Sequence, residues 1–342
     1  MSLPNWSPAE HMRLYVRKDI AAKVWNYGSG DFDLETLTAD PYEGKEKDYP
    51  VDQIFNGGLF QSPRNVAVSP DGTIYIADSG NHRIVHLSAD GETLHTWGTY
   101  SLIGDGESAA LGTFNEPWGI AVDSEGYIYI ADTWNHRVQK FTPGGEALTA
   151  WGQFGQAETS AAFWGPREIA VDAEDHIYVT DTGNKRIAIF TSDGDFITSL
   201  GEIGMGPGQF DEPVGIAIDA QGNLYVADTW NQRVQVFEPN AQGVAVNYKT
   251  EWEIVGWYGQ SLDNKPYLAA GDGVIYVSDP EGYRILAFSP EGEFLFYWGT
   301  YGVGENNLNR PTGLAVDADG KVWVADAGNN KVVRFDILET GR

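Results

Sequence analysis

Arg64-Asn65 and Arg167-Glu168 are the pairs best equipped for chemistry, because each sets a cation beside a polar side chain directly after a proline, Pro63 or Pro166. The matching stretches after Pro117, Pro213 and Pro311 carry Gly119, Gly215 and Gly313 where Asn65 and Glu168 stand. A bulky polar residue in a glycine's place is a local inconsistency of the kind that marks function or strain. In a chain with 22 Lys and Arg against 49 Asp and Glu, two guanidiniums side by side favour an anionic or carboxylate-bearing ligand, to which each offers a planar fork of donors. The simpler reading is that Arg167 and Glu168 pair with their neighbours. Trp118, Trp134, Trp164 and Trp230 add flat apolar surfaces that suit sugar rings or partner side chains, or else pack locally.

Other chemistries find little support. The absence of cysteine excludes disulfides, cysteine-ligated metal and thiol catalysis. The histidines are His11, His82, His86, His95, His136 and His176, of which only His82 and His136 recur in matching positions. No stretch reads as a nucleophile elbow, and Ser and Asp are scattered through turns.

These residues must be positioned by a repeat. The prolines Pro63, Pro117, Pro166, Pro213, Pro266 and Pro311 recur at intervals of 45 to 54 residues. Asp78, Asp132, Asp181, Asp228, Asp279 and Asp326 are each followed five residues later by Arg83, Arg137, Arg186, Arg233, Arg284 or Lys331. Six pairs mean six units. Between Asp and Arg lies Asn81, Asn135, Asn184, Asn231, Gly282 or Asn329, and the Asn/Gly alternation predicts a left-handed backbone at that position. Residues 114–152 hold one whole unit: four short β-branched and aromatic runs separated by Gly-rich turns, with no helical periodicity. The prediction is an all-β, six-bladed β-propeller of four-stranded antiparallel blades.

Pro-Trp-Gly-Ile-Ala-Val-Asp followed by Tyr-Ile-Ala-Asp-Thr-Trp-Asn-His-Arg-Val, at 117–138, resembles the NHL repeat. The resemblance covers roughly residues 60–335. Unit five departs from it, because Lys265-Pro266-Tyr267-Leu268 replaces the Pro-x-Gly opening. WD40 and kelch patterns fit less well. The resemblance implies a propeller that hosts unrelated activities. Amidating lyases use similar propellers with histidine-bound zinc, but His82 and His136 do not fall at channel-lining positions. Similarity to gluconolactonases and paraoxonases implies one divalent cation, such as calcium, at the channel mouth; Glu168 and Asn65 are the residues placed to bind it as ligands of a Lewis-acid metal. Arg64 and Arg167 beside them would oppose that ion.

One domain accounts for the chain. Its blades are predicted at 60–98, 114–152, 163–201, 210–259, 265–299 and 308–337. The sixth unit lacks a fourth strand, and Val24-Trp25-Asn26-Tyr27-Gly28 matches the ends of other fourth strands, Trp97-Gly98, Trp151-Gly152, Tyr258-Gly259 and Trp298-Gly299. Residues 20–30 are therefore predicted to close the ring in blade 6, with 31–59 a solvated acidic connection. Arg13 to Asp19 resembles the start of propeller domains that follow membrane-embedded glycosyltransferase-like modules in some bacterial proteins, which implies an extracytoplasmic domain of a larger, membrane-attached protein. No apolar run is long enough to span a bilayer. A net charge of -27 argues against nucleic acid, whose phosphates need a basic face.

In each blade the first strand lines the channel, and the loops between blades emerge on the same face as the turn joining strands two and three. Arg64, Trp118, Arg167, Val214 and Thr312 should thus share a face with Trp134 and Trp230. The acidic turns around Asp71, Asp123, Asp172, Asp219 and Asp317 fall on the opposite face, where a calcium site is weakly signalled. The function expected is a monomeric, non-enzymatic binding or interaction scaffold whose loop face holds a carbohydrate, peptide or protein, with no cofactor. The alternative is a metal-dependent, lactonase-like hydrolase or lyase at the channel mouth.

Overall fold

In a computed structural model, residues 40, 42–56, 58–102, 109–156, 159, 161–254, 257 and 265–337 are described. Strands such as Ile128–Asp132 are buried along their whole length. Their period-two alternation explains why: Ile128 and Ile130 pack toward blade 1 with Tyr75, Ala77 and Ile84, while Tyr129 and Ala131 pack toward blade 3 with Ile177 and Val179. A strand covered on both sides by sheets reads as a continuous apolar run, as the sequence does here.

The described residues form six four-stranded antiparallel sheets, each ordered outward from the channel, such as Pro117–Val122, Ile128–Asp132, Arg137–Phe141 and Ala147–Trp151 in blade 2. The cores lie between blades rather than within them. Blade 5, whose inner strand the sequence left undefined, has one at Leu268–Gly271. Blade 4 ends its fourth strand at Trp252-Glu253, within Ala245–Glu253, and the expected ending at Tyr258-Gly259 lies outside the described residues.

The ring closes through an N-terminal strand in blade 6, but that strand is Val51–Phe55, antiparallel to Lys331–Phe335. Residues 20–30, predicted for this role, lie outside the described residues. Phe55 pairs with Val332 on the rung where Trp97 pairs with Ile84 and Trp151 with Val138. It also does what those tryptophans do. Trp97 and Trp151 cap Gly145 and Gly194 in the next blade's outer turn, and Phe55 caps Gly91. Phenylalanine in a tryptophan's place hid the strand. The supposedly solvated segment before it is likewise packed: Tyr42 and Tyr49 are buried, Tyr42 beside Phe288 and Phe294, Tyr49 beside Phe296 and Trp298.

The left-handed residue of the Asp-to-Arg turn falls one position later than predicted, at His82, His136, Lys185, Gln232, Tyr283 and Asn330, with φ between 52° and 57° at all six. Asn is preferred at the preceding position for its amide instead. Asn184 Nδ2, for example, donates to Asp181 at 2.8 Å and to the Gly155 carbonyl at 3.1 Å.

Candidate functional site

The repeated Asp and Arg build the loop face. Asp132 accepts the Asn115 N–H at 2.7 Å and the Arg137 Nε–H at 2.8 Å. The rest of that guanidinium then gathers the loop entering blade 2, donating to the carbonyls of Ala109, Ala110 and Thr113 at 2.6 to 3.0 Å. Arg233 does the same with Met205, Gly206 and Gln209. These pairs are structural. Burial pushes the carboxyls of Asp132, Asp181 and Asp228 up, against the hydrogen bonds and cations that hold them down. His82 and His136 are structural too, each accepting a backbone N–H from the next blade, Glu116 at 3.0 Å and Gly165 at 3.1 Å.

Around the channel, the first strands alternate between large and small. A Cβ on Gly119 would lie 2.6 Å from the Arg167 carbonyl oxygen, on Gly215 2.6 Å from the Tyr267 Cα, and on Gly313 2.4 Å from the Asn65 Cα. Glycine in blades 2, 4 and 6 thus admits the close backbone of blades 3, 5 and 1. Blades 1, 3 and 5 in turn place Asn65, Glu168 and Tyr267, all buried, at the matching position. The departures from glycine follow a three-fold alternation.

Within it, the Asn65 amide donates across the channel to Glu168 Oε1 at 2.5 Å, while Asn65 Oδ1 accepts the Val66 N–H at 2.8 Å. Burial raises the Glu168 carboxyl well above the usual range, against the opposing bonds from Asn65 and the Ile169 N–H. The guanidiniums of Arg64 and Arg167 lie 4.3 and 3.8 Å from the centre of the Trp118 ring, and Arg167 lies 5.3 Å from that of Trp134. Both indoles point their N–H at Glu116 Oε2, at 3.4 and 3.2 Å.

The structure therefore brings Arg64, Asn65, Trp118, Trp134, Arg167 and Glu168 together, with Trp230 and Trp164 on the rim. Their exposure differs. Trp118 is 0% exposed and belongs to the plug of the channel, whereas Trp164 and Trp230 are 44% and 47% exposed. Sequence reasoning missed Lys265 and Tyr267, which were read as a degenerate repeat opening. Lys265 Nζ lies under the Trp230 ring at 5.5 Å and 3.5 Å from Glu212. Burial lowers its pKa to about 8, with Glu212 opposing. Burial would raise the Glu212 carboxyl, but Lys265, Lys185 and Arg167 hold it below its ordinary value. Tyr267 is fully buried. Burial and the Glu168 charge raise its hydroxyl pKa, and Arg64 and Arg167 oppose them.

Asn65 and Glu168 do not fit a divalent cation. The Asn65 amide N–H occupies a Glu168 oxygen, the Asn65 oxygen is taken by backbone, and two guanidiniums lie alongside. Among the described residues, the group with three metal-competent side chains is Asp172, Glu174 and His176, in the opposite-face turn of blade 3. Asp172 is used there by the turn itself, accepting the N–H groups of Glu174 and His176 and the Tyr178 hydroxyl.

Six four-stranded blades around a plugged channel, with long loops gathered on one face, define a six-bladed β-propeller. The NHL repeat pattern matches residues 60–87, 114–141, 163–190, 210–237 and 308–335, which are blades 1, 2, 3, 4 and 6. The chain is an NHL-repeat propeller. It is 35% identical over 79 residues to human NHL repeat-containing protein 3, covering 22% of this chain and 23% of that protein. It is 36% identical over 96 residues to the rat E3 ubiquitin-protein ligase TRIM71, covering 26% of this chain and 10% of that protein. The matched stretches thus span less than a quarter of either relative. Among solved structures, virginiamycin B lyase from Staphylococcus aureus superposes with a TM-score of 0.54 at 18% identity, over 84% of this chain and 85% of that one. A gluconolactonase from Xanthomonas campestris superposes with a TM-score of 0.58 at 14% identity, over 85% and 96%. At such identities the likeness is one of fold.

Proposed function

We propose that this chain is a non-enzymatic binding propeller whose loop face docks a protein or peptide segment. The distribution of exposed apolar side chains supports the reading. Of 15 large hydrophobic residues exposed among those described, 10 lie on the loop face: Tyr100, Leu102, Leu111, Phe154, Trp164, Ile203, Met205, Trp230, Tyr301 and Val303. The remaining five lie on outermost strands. Tyr100, Phe154, Ile203 and Tyr301 occupy equivalent places, two residues after Gly98, Gly152, Gly201 and Gly299. Apolar groups spread around several blades suit a macromolecular partner better than one sugar ring. NHL-repeat propellers generally mediate protein interactions, which agrees. The cations at the centre of this rim favour a segment that carries acidic residues among apolar ones.

Selection of a random peptide library on the immobilised chain tests the proposal. Peptides pairing Asp or Glu with aromatic or aliphatic residues are expected to be enriched, and to be lost on the Trp164→Ala/Trp230→Ala double variant. No enrichment, or equal retention by the variant, would overturn it.

The alternative, a lactonase-like hydrolase or lyase at the channel mouth, draws support from the perturbed Glu168 carboxyl. It is the weaker reading, because the Asn65 bond and the adjacent guanidiniums leave that carboxyl ill suited to a metal.

A further inference from the structure

Blade 5 opens differently from its neighbours, and the difference places two donors at the channel mouth. Lys265 Nζ and the Tyr267 hydroxyl are both buried; the hydroxyl has no hydrogen-bond partner among the described residues, and the ammonium has only a long ion pair, 3.5 Å to Glu212. Buried polar atoms left this way are costly, so native proteins rarely retain them without use. The two residues stand two apart on either side of Pro266, a spacing that sends side chains to one side of an extended chain. The Arg167 charge reaches both of them.

The acceptors nearby are already engaged. Glu168 accepts from Asn65, Glu116 accepts from Trp118 and Trp134, and Glu212 accepts from Lys185 at 2.9 Å through one oxygen while the other stands 3.5 Å from Lys265. Lysine and arginine side chains donate and cannot accept. A ligand that only accepts, is planar and carries negative charge completes such a set. A neutral sugar hydroxyl would bring further donors.

We propose that the mouth of the channel is a carboxylate-binding site built from Lys265, Tyr267 and Arg167, into which a docked partner inserts an acidic side chain. The site rests on the reading of the loop face as the docking face, and adds to it the chemical group that is recognised. Blades 3 and 5 supply the donors. The glycines of blades 2 and 4 let the first strands of blades 3 and 5 lie close to theirs, which keeps the ring around the channel narrow.

The test titrates the full chain with sodium acetate against sodium chloride at matched ionic strength, reading melting temperature and calorimetric heat. Acetate is expected to raise the melting temperature saturably beyond the chloride control. Tyr267→Phe removes a hydroxyl that makes no internal hydrogen bond, so it is expected to melt at or above the wild-type temperature without acetate, whereas Lys265→Met also loses the ion pair with Glu212 and is expected to melt somewhat below it. Each is expected to weaken acetate binding by about tenfold or more. Equal responses to acetate and chloride, or variants that bind acetate as tightly as the wild type, would overturn the site. Peptide enrichment without an acetate response overturns this inference alone. An acetate response without peptide enrichment overturns the docking reading alone.

Discussion

Asn65 and Glu168 meet across the channel at 2.5 Å, although 103 residues separate them in sequence and one blade stands between theirs. That single bond ties blade 1 to blade 3 and decides how the carboxyl behaves. Folding takes Glu168 from water into a site that raises its pKa, so the folded state holds the proton more tightly than the unfolded one. Its contribution to stability is fully present below the unfolded-state pKa and is lost as pH rises through the folded-state value.

Glu168→Gln keeps an oxygen to accept the Asn65 amide and removes the titration. The variant is expected to melt above the wild type near pH 8, with the gap closing toward about pH 5. Thermal denaturation across that range checks the sign. A wild type that gains on the variant as pH rises would contradict the assignment.

Phe55 closes the ring by stacking on Trp323, with ring centres 5.6 Å apart and planes 5° from parallel. Phe55→Ala should cost about 2–3 kcal/mol, somewhat below a fully buried phenylalanine because Phe55 is half-buried. Urea unfolding gives the value directly. Removing residues 40–56 should go further and abolish the single cooperative transition, since it strips blade 6 of its outer strand and exposes the Lys331–Phe335 edge.

Trp134 and Trp230 occupy matching turns but different environments. Trp134 packs edge-on against Trp118 with ring centres 6.4 Å apart and donates to Glu116, so Trp134→Ala should cost about 2–3 kcal/mol. Trp230 is exposed, and Trp230→Ala should fall within about 1 kcal/mol of the wild type while weakening peptide retention. Equal losses of stability in the two variants would show that the turns are not distinguished in this way.

Because Glu168 is bonded to Asn65 and flanked by guanidiniums, the fold is expected to stand without a divalent ion in the channel. Dialysis against EDTA should leave the melting temperature unchanged, and added calcium should not restore or raise it. Elemental analysis showing about one ion per chain, absent from Glu168→Ala, would reverse this and favour the hydrolase reading.

Most of the fold was legible because its signals are local. Asp132 and Arg137, five residues apart, announce one blade by themselves, and the pair recurs. The closing strand was not legible, since its identity depends on a rung between Phe55 and Val332, 277 residues later, that no local pattern encodes. Asn65 and Glu168 could be picked out because they stood against glycine, yet the meaning of the contrast was hidden. Tyr267 completes the set, and it lies within an opening that does not match the repeat. Lys265 and Tyr267 were lost in the same place, where divergence from the repeat was read as decay. Trp118 shows the opposite limit: its type and position suited a binding platform, and only packing reveals that arginines and neighbouring strands cover it.

The alternation of glycine with larger residues around the channel means that the ring is assembled from three two-blade modules rather than six interchangeable parts. An odd blade moved into an even place would drive an Asn, Glu or Tyr side chain into backbone that tolerates only glycine. Two even blades set side by side would leave a gap at the axis. Duplication, deletion or grafting within this molecule therefore has to proceed two blades at a time, in register with the glycines.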